Sequence, residues 1–167
     1  IAPSFGATTY PYTTRVRWAK KFFTDNGYNV IIGPNVDKAE LAYLSNTPAE
    51  IGKEFMEMYA NPDISLLLSV GGGEMQFETL PYIDFEKIKE SKPKFFMGYS
   101  DNTNLAFLLT TICDISSIYG YHIGDFGCKK LDASLKQALS LIQGKKLSLS
   151  SLKKYQIEDL KHKDGFE

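Results

Sequence analysis

Lys94-Phe95-Phe96-Met97-Gly98-Tyr99-Ser100-Asp101-Asn102-Thr103 sets an apolar strand directly before a helix, with one tight turn between them. Phe95, Phe96 and Met97 suit a buried, pleated strand, and Gly98 closes it. Leu105, Leu108, Leu109 and Ile112 then recur at helical spacing, so a helix is expected from Asn102 onward. A strand that turns straight into a helix exposes the turn residue at the strand's carboxyl end. Here that residue is Ser100.

The same grammar holds on either side. Upstream, Ile64 to Val70 is a nearly continuous apolar run, as for a strand covered on both faces of a parallel sheet, and it stops at Gly71-Gly72-Gly73. Thr47-Pro48-Ala49-Glu50 opens a helix, with Thr47 as cap, Pro48 first and Glu50 third, and its stripe is Ile51, Phe55 and Met58. A first helix is expected from a Thr13 or Thr14 cap, with Val16, Ala19, Phe22 and Phe23 inward and Asn26-Gly27 as its stop. Tyr28 to Ile32 reads as a short strand, residues 39–44 as partly helical, and Ile1-Ala2-Pro3-Ser4 as the last residues of a strand. Downstream, Leu80-Pro81-Tyr82-Ile83-Asp84 leads into a short helix through Lys89, Ile115 to Tyr119 is strand-like, and Asp132 caps a helix carrying Leu135, Ala138, Leu139 and Ile142. Strands alternating with helices predict an α/β fold: an open, mostly parallel sheet flanked by helices, Rossmann-like or of the class I glutamine amidotransferase kind. Residues 1–150 form the α/β domain in this reading. Residues 151–167 are a linker or the start of another domain.

The bulk numbers exclude several classes. With 167 residues and 43% hydrophobic content, one domain can bury a proper core. A net charge of -1 gives no argument for a nucleic-acid polymer or an anionic membrane surface. Two cysteines, Cys113 and Cys128, are too few for a disulfide-stapled secreted domain. Cys113 reads as a small core residue. No apolar run is long enough to span a bilayer, and the simplest compartment is the cytoplasm. The Lys-rich tail, with Lys145, Lys146, Lys153, Lys154, Lys161, Lys163 and His162, reads as a solvated face.

In open α/β sheets, sites lie beyond the carboxyl ends of strands. Two loops occupy such places: Gly71-Gly72-Gly73-Glu74 and Gly98-Tyr99-Ser100-Asp101. A serine nucleophile needs an exposed hydroxyl, a base, and donors for the developing oxyanion. The turn supplies the first. The Asp101 N–H, beside a helix N-terminus, is one donor, and the backbone of Gly72 and Gly73 can supply a second. Glu74 is a candidate substrate-binding carboxylate, or a plain surface one. A capping Ser-Asp pair and a Gly-rich turn are equally compatible with a non-catalytic α/β module that binds a carboxylate or a nucleotide. The turn is neither Gly-x-Ser-x-Gly nor a phosphate-binding loop.

Several segments, taken in order, resemble the family of LD-carboxypeptidases and microcin C self-immunity peptidases. Ile1-Ala2-Pro3-Ser4 resembles its Ala-Pro-Ser opening. Ser69-Val70-Gly71-Gly72-Gly73 with Leu80-Pro81-Tyr82-Ile83-Asp84 resembles its next block. Gly98-Tyr99-Ser100-Asp101-Asn102-Thr103 is similar to its nucleophile motif, and Tyr119-Gly120 with Asp125-Phe126-Gly127 to the block after it. The resemblance implies a serine peptidase with a Ser–Glu–His triad, Ser100 being the serine. It implies backbone oxyanion donors at Asp101 and at Gly72-Gly73, and no metal or other cofactor. The implied substrate is a small peptide or peptidyl-nucleotide, cleaved at an amide next to a free carboxylate: a murein LD-tetrapeptide, or a peptidyl- or aminoacyl-nucleotide. The family's Glu and His belong to a second domain and match no residue here, so this chain alone is expected to be nearly inactive. A homodimer is implied for the whole enzyme. Tyr121 departs from the family's proline, and His122 beside it reads as a loop or half-buried residue.

Overall fold

The computed structural model describes residues 1–145 and 148–153. The basic residues Lys146, Lys154, Lys161 and Lys163, His162, and most of the expected 151–167 linker lie outside the described residues.

Three strands form a parallel sheet in the order β1 (Leu66–Leu68), β2 (Phe95–Gly98), β3 (Ile118–Tyr119). Leu67 pairs with Phe96 and Met97 with Ile118. Side chains alternate across a strand, and this register sends Leu67 and Phe96 to one face and Leu66, Leu68 and Met97 to the other. Each face has its own core. Phe55, Tyr59, Ile88, Leu105 and Leu109 cover the first, drawn from α2 (Pro48–Ala60), α3 (Phe85–Glu90) and α4 (Thr103–Thr111). Ala19, Phe23, Ile123, Phe126 and Leu135 cover the second, with α1 (Tyr12–Asp25) and α5 (Ala133–Ile142). The open parallel sheet between helices is the α/β fold expected from the alternation.

Local signals explain most boundaries. Thr47 accepts the Glu50 N–H, Asp84 that of Lys87, and Asp132 that of Leu135, each capping its helix. Gly27 and Gly144 take positive φ at helix ends. Cys113 is buried in the first core.

Other expectations are corrected. Helix α1 starts at Tyr12, behind Pro11, so Thr13 and Thr14 lie inside its first turn and cap nothing. Residues 39–44 hold only a bridge between Leu41 and Leu44, with no helix. Tyr28 to Ile32 makes no strand ladder among the described residues; it lines an apolar groove together with Ile64 to Leu68. Residues 76–82 form a 3₁₀ helix that the sequence pattern did not reveal. Ile1 lies beside the end of β1, where its carbonyl accepts the Val70 N–H at 2.9 Å. No helix of the described residues is long and apolar enough to cross a membrane.

Candidate active site

The turn after β2 is strained where the sequence singled it out. Ser100 has φ +60°, a left-handed conformation rare for a residue with a side chain. It is solvent-exposed and starts a short 3₁₀ turn, Ser100–Asn102, that runs into α4. Strain of this kind persists only when the surroundings hold it. Here they do so from both sides. The Ser100 N–H donates to the Tyr119 hydroxyl at 3.4 Å, and the Ser100 carbonyl accepts from Thr103 Oγ1. Gly98 permits the turn: a side chain there would meet Ser69 Oγ at 2.5 Å and Asn102 Cβ at 2.9 Å.

Asp101 and Asn102 anchor the turn with their side chains. Asp101 Oδ2 accepts from Ser4 Oγ at 2.5 Å and from the Gln76 N–H at 2.9 Å. Asn102 is fully buried; its Nδ2 donates to the Gly71 carbonyl at 2.7 Å and its Oδ1 accepts from Gln76 Nε2 at 2.9 Å. Gln76 Oε1 in turn accepts the Leu105 N–H of α4. This network locks the glycine loop against the serine turn.

Gly72 faces Ser100 directly. A side chain starting at Gly72 would lie 3.1 Å from Ser100 Cβ and 3.2 Å from Ser100 Oγ. The Gly72 carbonyl is turned away, accepting the Phe5 N–H at 3.0 Å. The absence of a side chain there leaves a space in front of the serine hydroxyl. Gly73 is exposed beside Ser4 and Asp101. Glu74 is exposed and does not line the cleft.

The cleft itself holds about 400 Å³. It is lined by Phe5, Tyr12 and Arg15, by Gly71 to Gly73 and Ser100, and by Tyr99, His122 and Asp125. His122 lies flat on Tyr99, with ring centroids 4.0 Å apart and planes 25° apart. Its Nδ1 is 2.6 Å from Ser69 Oγ. Burial pushes the imidazole down to about 4, so the ring is neutral at pH 7. Burial, with a further push from Asp125, raises the Tyr99 phenol. No group of three or more His, Cys, Asp or Glu side chains able to hold a metal occurs among the described residues.

The structure thus brings Ser100, Asp101, Gly72 and Gly73 together and leaves Glu74 outside. It adds Arg15, which no motif contained, and brings to the cleft Tyr99 and Asp125, which the quoted blocks contained without a role, and His122, read from sequence as a loop or half-buried residue. Arg15 carried a readable signal: it lies four residues before Ala19 and so falls on the apolar face of α1, where it is buried.

Residues 1–120 match the model of the LD-carboxypeptidase N-terminal domain. The microcin C7 self-immunity protein MccF of Escherichia coli is 32% identical over 100 residues, which are 60% of this chain and 28% of that protein. The structure of MccF in complex with glutamyl sulfamoyl guanosine superposes with a TM-score of 0.75 at 25% identity, over 95% of this chain and 47% of that one. Muramoyltetrapeptide carboxypeptidase from Oxalobacter formigenes superposes with a TM-score of 0.70 at 25% identity, over 85% and 47%. The chain therefore spans about half the length of these solved relatives, and less of MccF's sequence.

Proposed function

The chain belongs to the LD-carboxypeptidase family, and from that premise we propose that it carries the nucleophile, Ser100, of a serine peptidase that cleaves an amide bond next to a free carboxylate. The observation that carries the reading is the φ of +60° at Ser100, which holds an exposed hydroxyl over the space left by Gly72. Strain at an exposed serine between a strand and a helix is what a nucleophile turn requires.

In this reading Ser100 Oγ attacks the scissile carbonyl carbon as its proton passes to a base. The carbonyl electrons move onto oxygen, and the amine leaves once protonated. The N–H groups of Asp101 and of Gly72-Gly73 receive the oxyanion. Support comes from the Gly71 and Gly72 carbonyls, which are tied down elsewhere, and from the unpaired N–H groups that a helix start offers.

His122 is unsuited to be the base. Its Nδ1 is engaged by Ser69, and burial makes the ring a weak proton acceptor. The resemblance assigns the base and its acidic partner to a His and a Glu that match none of these residues, so the 167-residue chain by itself is expected to turn over very slowly. The substrate is a small molecule with a free carboxylate. An aminoacyl-nucleotide is favoured by the ligand named in the MccF complex, and a murein tetrapeptide by the muramoyltetrapeptide carboxypeptidase.

The test is hydrolysis of glutamyl sulfamoyl guanosine and of murein tetrapeptide by the protein at its full natural length, with and without Ser100→Ala. The substitution is expected to lower kcat/KM by about 10⁴-fold or more. Undiminished turnover in the variant would overturn the assignment. Ligand binding with no turnover in the unmodified protein would instead establish a non-catalytic binding module.

A further inference from the structure

His122 lines the cleft without a task in the mechanism above. Its position is fixed from four directions. Tyr99 stacks on its face. Its backbone N–H donates to Asp125 Oδ2 at 2.9 Å, and the next residue's N–H, from Ile123, donates to the Ser69 carbonyl at 2.9 Å. Ser69 Oγ meets Nδ1 at 2.6 Å.

The last contact decides which ring nitrogen bears the proton. Ser69 is fully buried, and among the described residues its hydroxyl meets one partner, His122 Nδ1. A buried hydroxyl that donates to nothing leaves a donor unsatisfied, at a cost of about 1–3 kcal/mol. Ser69 therefore donates and Nδ1 accepts. A neutral imidazole has one N–H, so it is on Nε2.

Nε2 faces the space over Gly72. The point where a Gly72 side chain would begin is 3.7 Å from His122 Nε2 and 3.2 Å from Ser100 Oγ. A fixed N–H donor and the serine hydroxyl thus look onto one volume, which a side chain at Gly72 would crowd and which lies open to the cleft.

We propose that His122, through Nε2–H, is a substrate-binding donor that hydrogen-bonds an oxygen of the acyl group seated over Gly72 beside Ser100. The proposal rests on Ser100 being the nucleophile, since that fixes where the acyl group sits. It makes His122 a specificity residue. A neutral N–H donates to a carbonyl or carboxylate oxygen, and a substrate presenting N–H or ammonium at that place would set donor against donor, an arrangement that buried sites reject strongly. The same fixed tautomer denies His122 the role of base, because the nitrogen facing the cleft has no lone pair to offer.

Two measurements test this. In the full-length protein, His122→Leu removes the donor while keeping an apolar group against Tyr99. It is expected to lower kcat/KM for glutamyl sulfamoyl guanosine or murein tetrapeptide by about 10–100-fold, a lost hydrogen bond to substrate. His122→Gln, whose amide can donate from a similar place, is expected to recover most of that loss. Unchanged kcat/KM in a folded His122→Leu protein overturns the proposal. Separately, ¹⁵N NMR of labelled histidine in the Ser100→Ala protein at pH 7 is expected to show protonated Nε2 and bare Nδ1, and a shift of the Nε2–H signal on adding glutamyl sulfamoyl guanosine or murein tetrapeptide. An Nδ1–H tautomer, or no shift with a probe shown to bind, overturns it. A shift accompanied by no turnover in the unmodified protein supports the donor and sinks the nucleophile reading alone.

Discussion

Ser4 donates its hydroxyl proton to Asp101 Oδ2 over 2.5 Å, tying the first loop of the chain to the turn that carries Ser100. Ser4 is fully buried, and the same carboxylate also takes the Gln76 N–H. Asp101 is thereby held from two loops at once, and the strained residue before it has little freedom to relax. Ser4→Ala removes one charge-assisted hydrogen bond, a loss of about 1.5–3 kcal/mol. Thermal unfolding is expected at a Tm lower by about 3–10 °C for a domain of this size. If Asp101 positions Ser100, labelling of Ser100 by a fluorophosphonate probe slows as well, in protein that is still folded at the assay temperature. Labelling at the unmodified rate, with the Tm loss present, would limit Ser4 to a structural role.

Gly72 is the second point where fold and chemistry meet. Gly72→Ala would put a methyl group 3.2 Å from Ser100 Oγ, tighter than most real contacts of this kind, inside the space proposed for the acyl group. Gly72 is only half-buried, so the protein is expected to fold with the methyl group in place. Activity is therefore expected to fall by about 100-fold or more, the scale of losing an oxyanion donor, while the Tm moves little. A Gly72→Ala protein with full kcat/KM would remove Gly72 from the site.

The sequence made the strand–turn–helix at Ser100 legible because three local signals agree there: an apolar strand, a glycine, and an immediate helical stripe. The capped helices α2 and α5 were legible for the same reason, since Thr47 and Asp132 act on N–H groups three residues away. What stayed hidden depends on distance along the chain. Ser4 and Asp101 are 97 residues apart, Ser69 and His122 are 53 apart, and no periodicity brings them together. Tyr28 to Ile32 has strand composition, but a strand exists only through its neighbour, and composition does not reveal whether one is in place.

Burial of His122 makes stability depend on pH with a definite sign. Its folded value is about 4, against 6.5 for an unperturbed imidazole. Between those values the unfolded chain binds a proton that the folded chain does not. Stability is therefore full above pH 6.5 and is lost as pH falls through 6.5 toward 4. The neighbouring groups are Tyr99, stacked on the ring, Asp125, which accepts its backbone N–H, and Arg15, which lines the same cleft and packs beside Gly124. Between pH 7 and pH 5 the His122 contribution is expected to fall by about 2 kcal/mol. Urea denaturation at the two pH values reads this directly. His122→Gln should abolish that part of the difference; an equal loss in both proteins would assign the pH dependence to other groups.

Glu54 lies away from the cleft. It is buried on α2 at 2% exposure, and its carboxylate takes three N–H groups at 3.3 Å: Ala2 N–H and Asn35 Nδ2 on Oε2, and Asn35 N–H on Oε1. Gly33 packs so closely that a side chain there would meet Glu54 Oε1. A buried carboxylate is tolerated when its oxygens are satisfied this way. It staples two loops to one helix, and one of those loops continues into Ser4. Glu54→Ala strands three buried donors, so a loss of about 3 kcal/mol or more is expected. Glu54→Gln keeps the shape and one acceptor oxygen, so it should lose less. The order of the denaturation midpoints, unmodified above Gln above Ala, checks the account. If Glu54→Ala unfolded at the same urea concentration as the unmodified protein, the carboxylate would not be the staple that joins the opening loop to α2.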